Sequence, residues 1–345
     1  MINKTPNFDY CISNPPYQKI VKSEHNNNIN QSTVKNIFQD FQTNACLFSE
    51  NTTMIYPAYR WLQGGGKGLK NFIKFMKDNK ELYSIDVFDS FETKQMFNVQ
   101  IPDGVCITVI KNEHNNNNKI LVNNNIINVK DDFYIPTNYD NISVVEKIKN
   151  YMLDNDCNSI NSRKLSRSFY GIESDFVEKN PELVFKTNNK TNSLIKVLTN
   201  DRSGTGGKPE WFYIDKSTLK TTKYVNDFKI IVRSAMNRPK DHLKTAELIG
   251  AGTAVGRSRV VLAAFETLFE AENFLKYLQT DLAQLLFEES ISAGLKNFGK
   301  FIPDLVDYSN DNPVFTPSDD LPDNHEYKNL SLNNRLYKYF SLIND

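Results

Sequence analysis

Apolar positions in the first third of the chain switch between short continuous runs and helical stripes. Phe8, Tyr10, Cys11 and Ile12 make a compact run that reads as a buried strand. A polar stretch follows. Ile37, Phe38, Phe41, Ala45 and Phe48 then recur at helical spacing, predicting a helix across Val34 to Phe48. Thr53 to Pro57 is a short apolar strand stopped by proline, and Leu69, Phe72, Ile73 and Met76 form one stripe of a second helix. Ser84 to Phe88 and Gly104 to Ile110 read as two further strands. This strand–helix order over residues 1–113 predicts an α/β fold built on part of a doubly wound sheet.

Asparagine runs then interrupt the pattern. Asn115 to Asn118 and Asn123 to Asn125 join Asn26 to Asn28 upstream, and codon bias in an AT-rich genome is the plain explanation. Asparagine tolerates left-handed geometry and adds nothing to a core, so 114–140 reads as a linker. A second region, 141–345, opens with an amphipathic helix over Ser143 to Leu153 and carries short strands at Phe228 to Arg233 and Val260 to Phe265. Thr267-Leu268-Phe269-Glu270 reads as a capping box that starts the clearest helix. Leu268, Ala271, Leu275, Leu278, Leu282 and Leu285 form its stripe, which is a core face.

The most informative segment is Asn14-Pro15-Pro16-Tyr17, directly after the first strand. Two prolines fix their own φ and push each preceding residue into extended geometry. The result is a stiff loop that holds the Asn14 side chain and the following carbonyls in place, with an aromatic ring next to them. Such a loop suits gripping the exocyclic amine of a flipped base while the ring stacks on it. A chance proline-rich loop, or a Pro-Pro-x-Tyr ligand of an aromatic groove, is the bland alternative. Neither predicts an apolar strand running straight into the motif.

Composition narrows the field. The 345 residues are ample for two domains. Lys plus Arg and Asp plus Glu are each 41, so a nucleic-acid surface must come from local clustering of cations. Cys11, Cys46, Cys106 and Cys157 are scattered like free thiols of a reducing cytoplasm, and with four dispersed histidines they give no zinc spacing. No signal peptide or membrane-length apolar run is read, so a cytoplasmic protein is expected.

The loop and its strand resemble the adenine-specific DNA methyltransferases (gamma-like class) of bacterial restriction–modification systems. Pro57-Ala58-Tyr59-Arg60-Trp61-Leu62-Gln63-Gly64-Gly65-Gly66-Lys67-Gly68-Leu69 is similar to their segment in which Arg-Trp precedes a Gly-Gly-Lys-Gly-Leu turn, and Gly104-Val105-Cys106 matches a strand of the same group. Phe301 to Leu305 and Leu336 to Phe340 look like that group's tail. The resemblance implies a Rossmann-like methyltransferase sheet followed by a mixed α/β target-recognition domain. It also implies double-stranded DNA as partner and S-adenosylmethionine as methyl donor. On that basis Asn14 and Pro15 accept the amine hydrogens, Pro16 stiffens the loop and Tyr17 stacks on the adenine.

In that family a glycine-rich turn and a ribose-binding acid precede the Asn-Pro-Pro-Tyr loop, and they are not found here. The sheet is therefore expected to be incomplete, lacking its cofactor-binding half. Three readings stay open: one half of a split enzyme with a companion chain or restriction subunit, a truncated relic, or a non-catalytic DNA-binding or specificity module. Candidate DNA contacts are Arg60 and Lys67 beside the glycine cluster, and Arg202, Lys208, Arg233, Arg238, Arg257 and Arg259 in polar or glycine-rich loops. Ala251 to Ser258 mimics a phosphate-binding loop but lacks a leading strand, so it is read as a glycine-rich loop offering Arg257 and Arg259.

Overall fold

The computed structural model describes residues 8–22, 32–62, 68–112, 114–128, 141–188, 193–201, 208–234, 243–290 and 298–342. The fold is mixed α/β, and the chain divides near residue 142 into two units.

The first unit runs β1 (Phe8–Ser13), β2 (Gln18–Lys22), β3 (Ser32–Asn36), α1 (Phe38–Phe48), β4 (Ser49–Pro57), α2 (Tyr59–Leu62), α3 (Lys70–Asp78), β5 (Leu82–Phe88), α4 (Ser90–Phe97), β6 (Val105–Lys111), β7 (Lys119–Val122) and β8 (Asn125–Asn128). Six strands form one sheet in the order β1-β4-β6-β5-β7-β8, and β2 pairs with β3 in a separate ribbon. β1 is parallel to β4, while β6 is antiparallel to both β4 and β5. Thus β1, β4 and β5 all point their carboxyl ends to one edge.

Alternation along β4 explains the layering. Thr52, Met54 and Tyr56 are buried while Thr53, Ile55 and Pro57 are half-buried, so one sheet face meets a core. That core joins Phe38, Ala45 and Cys46 of α1 to Trp61 and Leu62 of α2 and to Phe72 and Met76 of α3. Phe72 is its aromatic centre, with its ring 5.6 Å from Phe38, 5.8 Å from Tyr56 and 5.3 Å from Trp61. One neutral polar network lies inside this core. Gln42 donates to Thr52 Oγ1 at 2.9 Å, and its Oε1 accepts from Thr108 at 3.0 Å and from Tyr56 at 3.3 Å.

Two expectations are corrected here. The helix expected over Val34 to Phe48 begins at Phe38, because Val34 is claimed by the ladder of β3 with β2, opposite Ile20. The expected linker 114–140 contains β7 and β8, which extend the sheet. The asparagines that suggested a linker make its turns. Asn123 and Asn124 have φ 46° and 65°, the left-handed pair that a two-residue hairpin loop requires. Residues 129–140 lie outside the described residues.

The second unit contains α5 (Ile142–Asp154), α6 (Phe176–Lys179), β9 (Val184–Phe185), β10 (Leu194–Asp201), β11 (Lys208–Asp215), β12 (Phe228–Arg233), β13 (Glu247–Ile249), β14 (Thr253–Val255), β15 (Arg259–Phe265), α7 (Leu268–Leu278), α8 (Asp281–Ser290) and α9 (Leu332–Tyr339). Its sheets are β14-β10-β11-β9 and β13-β12-β15. β12 and β15 are apolar runs buried almost throughout, as continuous hydrophobicity predicts. The single helix expected over Leu268 to Leu285 is two. Thr280 donates to Tyr277 O at 2.7 Å and accepts from Ala283 N at 3.3 Å, so one hydroxyl closes α7 and caps α8. Leu268 is exposed, and Phe274 and Tyr277 fill the core instead. Lys229 is fully buried, and its ammonium donates to the carbonyls of Tyr224 at 2.9 Å, Val225 at 3.1 Å and Asp227 at 2.6 Å.

Candidate functional site

β1 ends at Ser13, which lies in register with Met54 of β4. Asn14 therefore stands just beyond the carboxyl end of a parallel strand, where open α/β sheets collect their ligands. The four residues of the loop differ in exposure. Asn14 and Pro16 are exposed, Pro15 is buried and Tyr17 is half-buried against the sheet's core. The buried proline anchors the loop, while the exposed Asn14 amide makes no side-chain hydrogen bond among the described residues. Burial pushes the Tyr17 phenol pKa up, and the nearby Cys106 thiol adds to the rise. Tyr17 O also accepts from Ile37 N at 3.0 Å, which closes the base of the β2–β3 ribbon on the loop.

The same edge of the sheet gathers the ends of β4 and β5 and the start of β6. Ala58 N donates to Gly104 O at 3.3 Å, and Tyr59 N donates to Asp103 O at 3.1 Å. Gly104 has φ 58°, and a Cβ there would fall inside 3.0 Å of Phe88 O, so the turn into β6 requires glycine. Asp89 follows β5 and caps α4, accepting from Phe91 N at 2.7 Å and Glu92 N at 2.8 Å. Trp61 of the Arg-Trp pair is a core residue, fully buried against Tyr56 and Phe72.

The candidate DNA contacts separate into distinct cases. Lys67, Arg202 and Arg238 lie outside the described residues, as does the side chain of Arg60. Lys208 is exposed at the start of β11 and Arg233 is exposed at the end of β12. Arg257 is held by Glu173 at 2.6 Å, and its guanidinium keeps that carboxyl below the usual range. Arg259 is 8% exposed, which corrects the expectation that it is offered to a ligand. The reason is local: residues 253–255 are the buried strand β14, Gly256 packs against Thr199, and Arg259 opens β15 facing inward. Sequence reading passed over Arg167. Its guanidinium donates to Ser234 Oγ at 3.1 Å and to Arg257 O at 3.4 Å, beside Arg233. Nothing in the one-dimensional pattern singles it out, because those partners are more than sixty residues away.

Among the described residues no group of His, Cys, Asp and Glu could hold a metal ion, and no helix is long and apolar enough to cross a membrane. Residues 1–97 match the Eco57I restriction-modification methylase family. No curated protein matches the chain. Similar solved structures include the following two. The type IIG restriction endonuclease BpuSI is 11% identical, with 79% of this chain and 42% of that chain covered at a TM-score of 0.30. A nuclease-deletion mutant of the Type ISP restriction-modification enzyme LlaGI, in complex with a DNA substrate mimic, is 10% identical, with 84% of this chain and 40% of that chain covered at a TM-score of 0.35. The chain thus spans less than half the length of either.

Proposed function

We propose that this chain is a component of an adenine-specific DNA methyltransferase of a restriction–modification system. The observation that carries the reading is the position of Asn14-Pro15-Pro16-Tyr17: at the carboxyl end of β1, within the stretch that matches a methylase family. The strand order β1-β4-β6-β5, with only β6 reversed, supports reading the sheet as part of a Rossmann-like methyltransferase fold. The second unit is read as the target-recognition domain, with Lys208 and Arg233 as its exposed candidate contacts to phosphate.

Asn14 Oδ1 and the Pro15 carbonyl accept the two hydrogens of the adenine amine. These bonds strengthen as positive charge develops on that nitrogen, so they favour the transition state over the ground state. Tyr17, its ring fixed against the core, stacks on the extruded base. S-adenosylmethionine supplies the electrophilic methyl group in such a reaction. Asp89, the acid at the carboxyl end of β5, is engaged in capping α4, and no described residue is assigned to hold the donor. Its cradle is assigned to a companion segment, and the free edge of β1 among the described residues is consistent with a further strand there.

The test is transfer of labelled methyl groups to duplex DNA by the chain, alone and with the product of any neighbouring gene, followed by mapping of the modified base. Asn14→Ala is expected to abolish transfer without changing the melting temperature. An Asn14→Ala protein that methylates normally, or a label found on cytosine, would overturn the reading.

A further inference from the structure

The ribbon of β2 and β3 carries an electrostatic cost that its own fold does not offset. Lys19 lies directly opposite Lys35 across the antiparallel pair, and both are exposed. Like charges in such facing positions destabilise a ladder. Neither lysine has an ion pair among the described residues. The next register pair, Ile20 with Val34, points to the other face and is 74% and 59% exposed. The ribbon forms a sheet of its own, so little besides its ladder holds it.

Its base is nonetheless firmly placed. Tyr17 before β2 packs against the first unit's core and Phe38 after β3 lies within it, and between them Ile37 N donates to Tyr17 O at 3.0 Å. The lysine pair therefore begins two residues from Tyr17, roughly 7 Å along an extended strand. That is about the axial rise of two nucleotides in one DNA strand. A two-stranded ribbon is also a shape that the major groove admits.

We propose that β2 and β3 form a DNA-backbone arm, with Lys19 and Lys35 contacting phosphates next to the adenine held by Asn14. This placement rests on the methyltransferase reading above; the need for an anionic partner rests on the lysine pair itself. A separate phosphate beside each ammonium group offsets the repulsion between the two lysines. The contact is independent of sequence, because phosphates carry no base information.

The test uses the full chain and a fluorescein-labelled duplex containing adenines. Affinity is read by anisotropy across a salt series, with the companion product added if binding requires it. Replacing both lysines (Lys19→Gln with Lys35→Gln) is expected to lower the slope of log affinity against log salt by about two, the loss of two phosphate contacts. Ile20→Thr with Val34→Thr keeps strand-forming residues on the other face and is expected to leave the slope unchanged. A slope unaltered by the lysine replacements overturns the arm. So does an equal fall in the threonine control, since that would report loss of the ribbon itself, and so does absence of duplex binding at low salt. Asn14→Ala is expected to keep the parental slope, because the adenine amine is uncharged. Failure of the arm with Asn14-dependent methylation intact is thus distinct from failure of the methyltransferase reading.

Discussion

Gln42→Leu removes the centre of the polar network that ties α1 to β4 and β6. Three hydrogen bonds are lost, to Thr52 at 2.9 Å, Thr108 at 3.0 Å and Tyr56 at 3.3 Å. At about 1 kcal/mol net each, the loss is about 3 kcal/mol. Burying leucine in place of an amide returns about 1 kcal/mol. Tyr56 and Thr108 lie 2.8 Å apart, so once Gln42 is gone one hydroxyl donates to the other, and that new bond returns about 1 kcal/mol. The expected destabilisation is therefore about 1 kcal/mol. The chain has two tryptophans, one in each unit, so a Trp211→Phe background leaves the fully buried Trp61 as sole reporter of the first unit. Urea unfolding followed by its emission gives the change directly, and a double-mutant cycle with Thr108→Val should show coupling of about 1 kcal/mol. A variant within about 0.5 kcal/mol of its parent would refute the claim that this network holds the helix to the sheet. The consequence reaches the candidate site, because α1 follows directly on Ile37, whose amide donates to Tyr17 O.

Two further outcomes follow from backbone and charge. Gly104→Ala combines a left-handed φ of 58° with a Cβ driven onto the backbone oxygen of Phe88, and it should cost about 3 kcal/mol or more by the same Trp61 transition; unchanged stability would contradict the placement of that turn. Burial lowers the Lys229 pKa from 10.5 to about 8. Between those values the unfolded chain binds the proton that the folded chain has released, so stability should rise with pH from about 8 towards 10.5. The rise should be missing from Lys229→Met when the two proteins are compared through Trp211, and parallel pH profiles would count against it.

What the sequence made legible was the part governed by local rules. β1, β4, β5, β6, β12 and β15 announce themselves as apolar runs or alternations, and α3 and α5 as stripes. β1, however, expected to be buried, is an edge strand among the described residues, with Phe8, Tyr10 and Ile12 exposed. The Asn14 loop was legible because two prolines fix its geometry without help from distant residues. The β2–β3 ribbon was not, since its apolar pair Ile20 and Val34 faces solvent and its pairing depends on register across a long interval. Arg259 was misplaced because charge suggested exposure, whereas the first residue of β15 turns inward. The break between α7 and α8 was hidden because Leu278 and Leu282 keep helical spacing across Thr280.

The turn between β7 and β8 bears on how this sequence can drift. Asn123 accepts from Val87 N at 2.7 Å through its side chain and donates its own amide to Ile85 O at 3.2 Å, while its backbone stays left-handed. Asn117, Asn118 and Asn124 also have positive φ. A nucleotide bias that fills loops with asparagine would be expected to leave them interchangeable with the lysines and isoleucines of neighbouring codons. Here it has not, for a β-branched residue at any of these four positions meets a backbone it rarely adopts. Mutational tolerance along the asparagine run should therefore be uneven: permissive at Asn125, where the chain is already extended, and confined to asparagine, aspartate or glycine at the turns. A compositional accident has become a folding constraint.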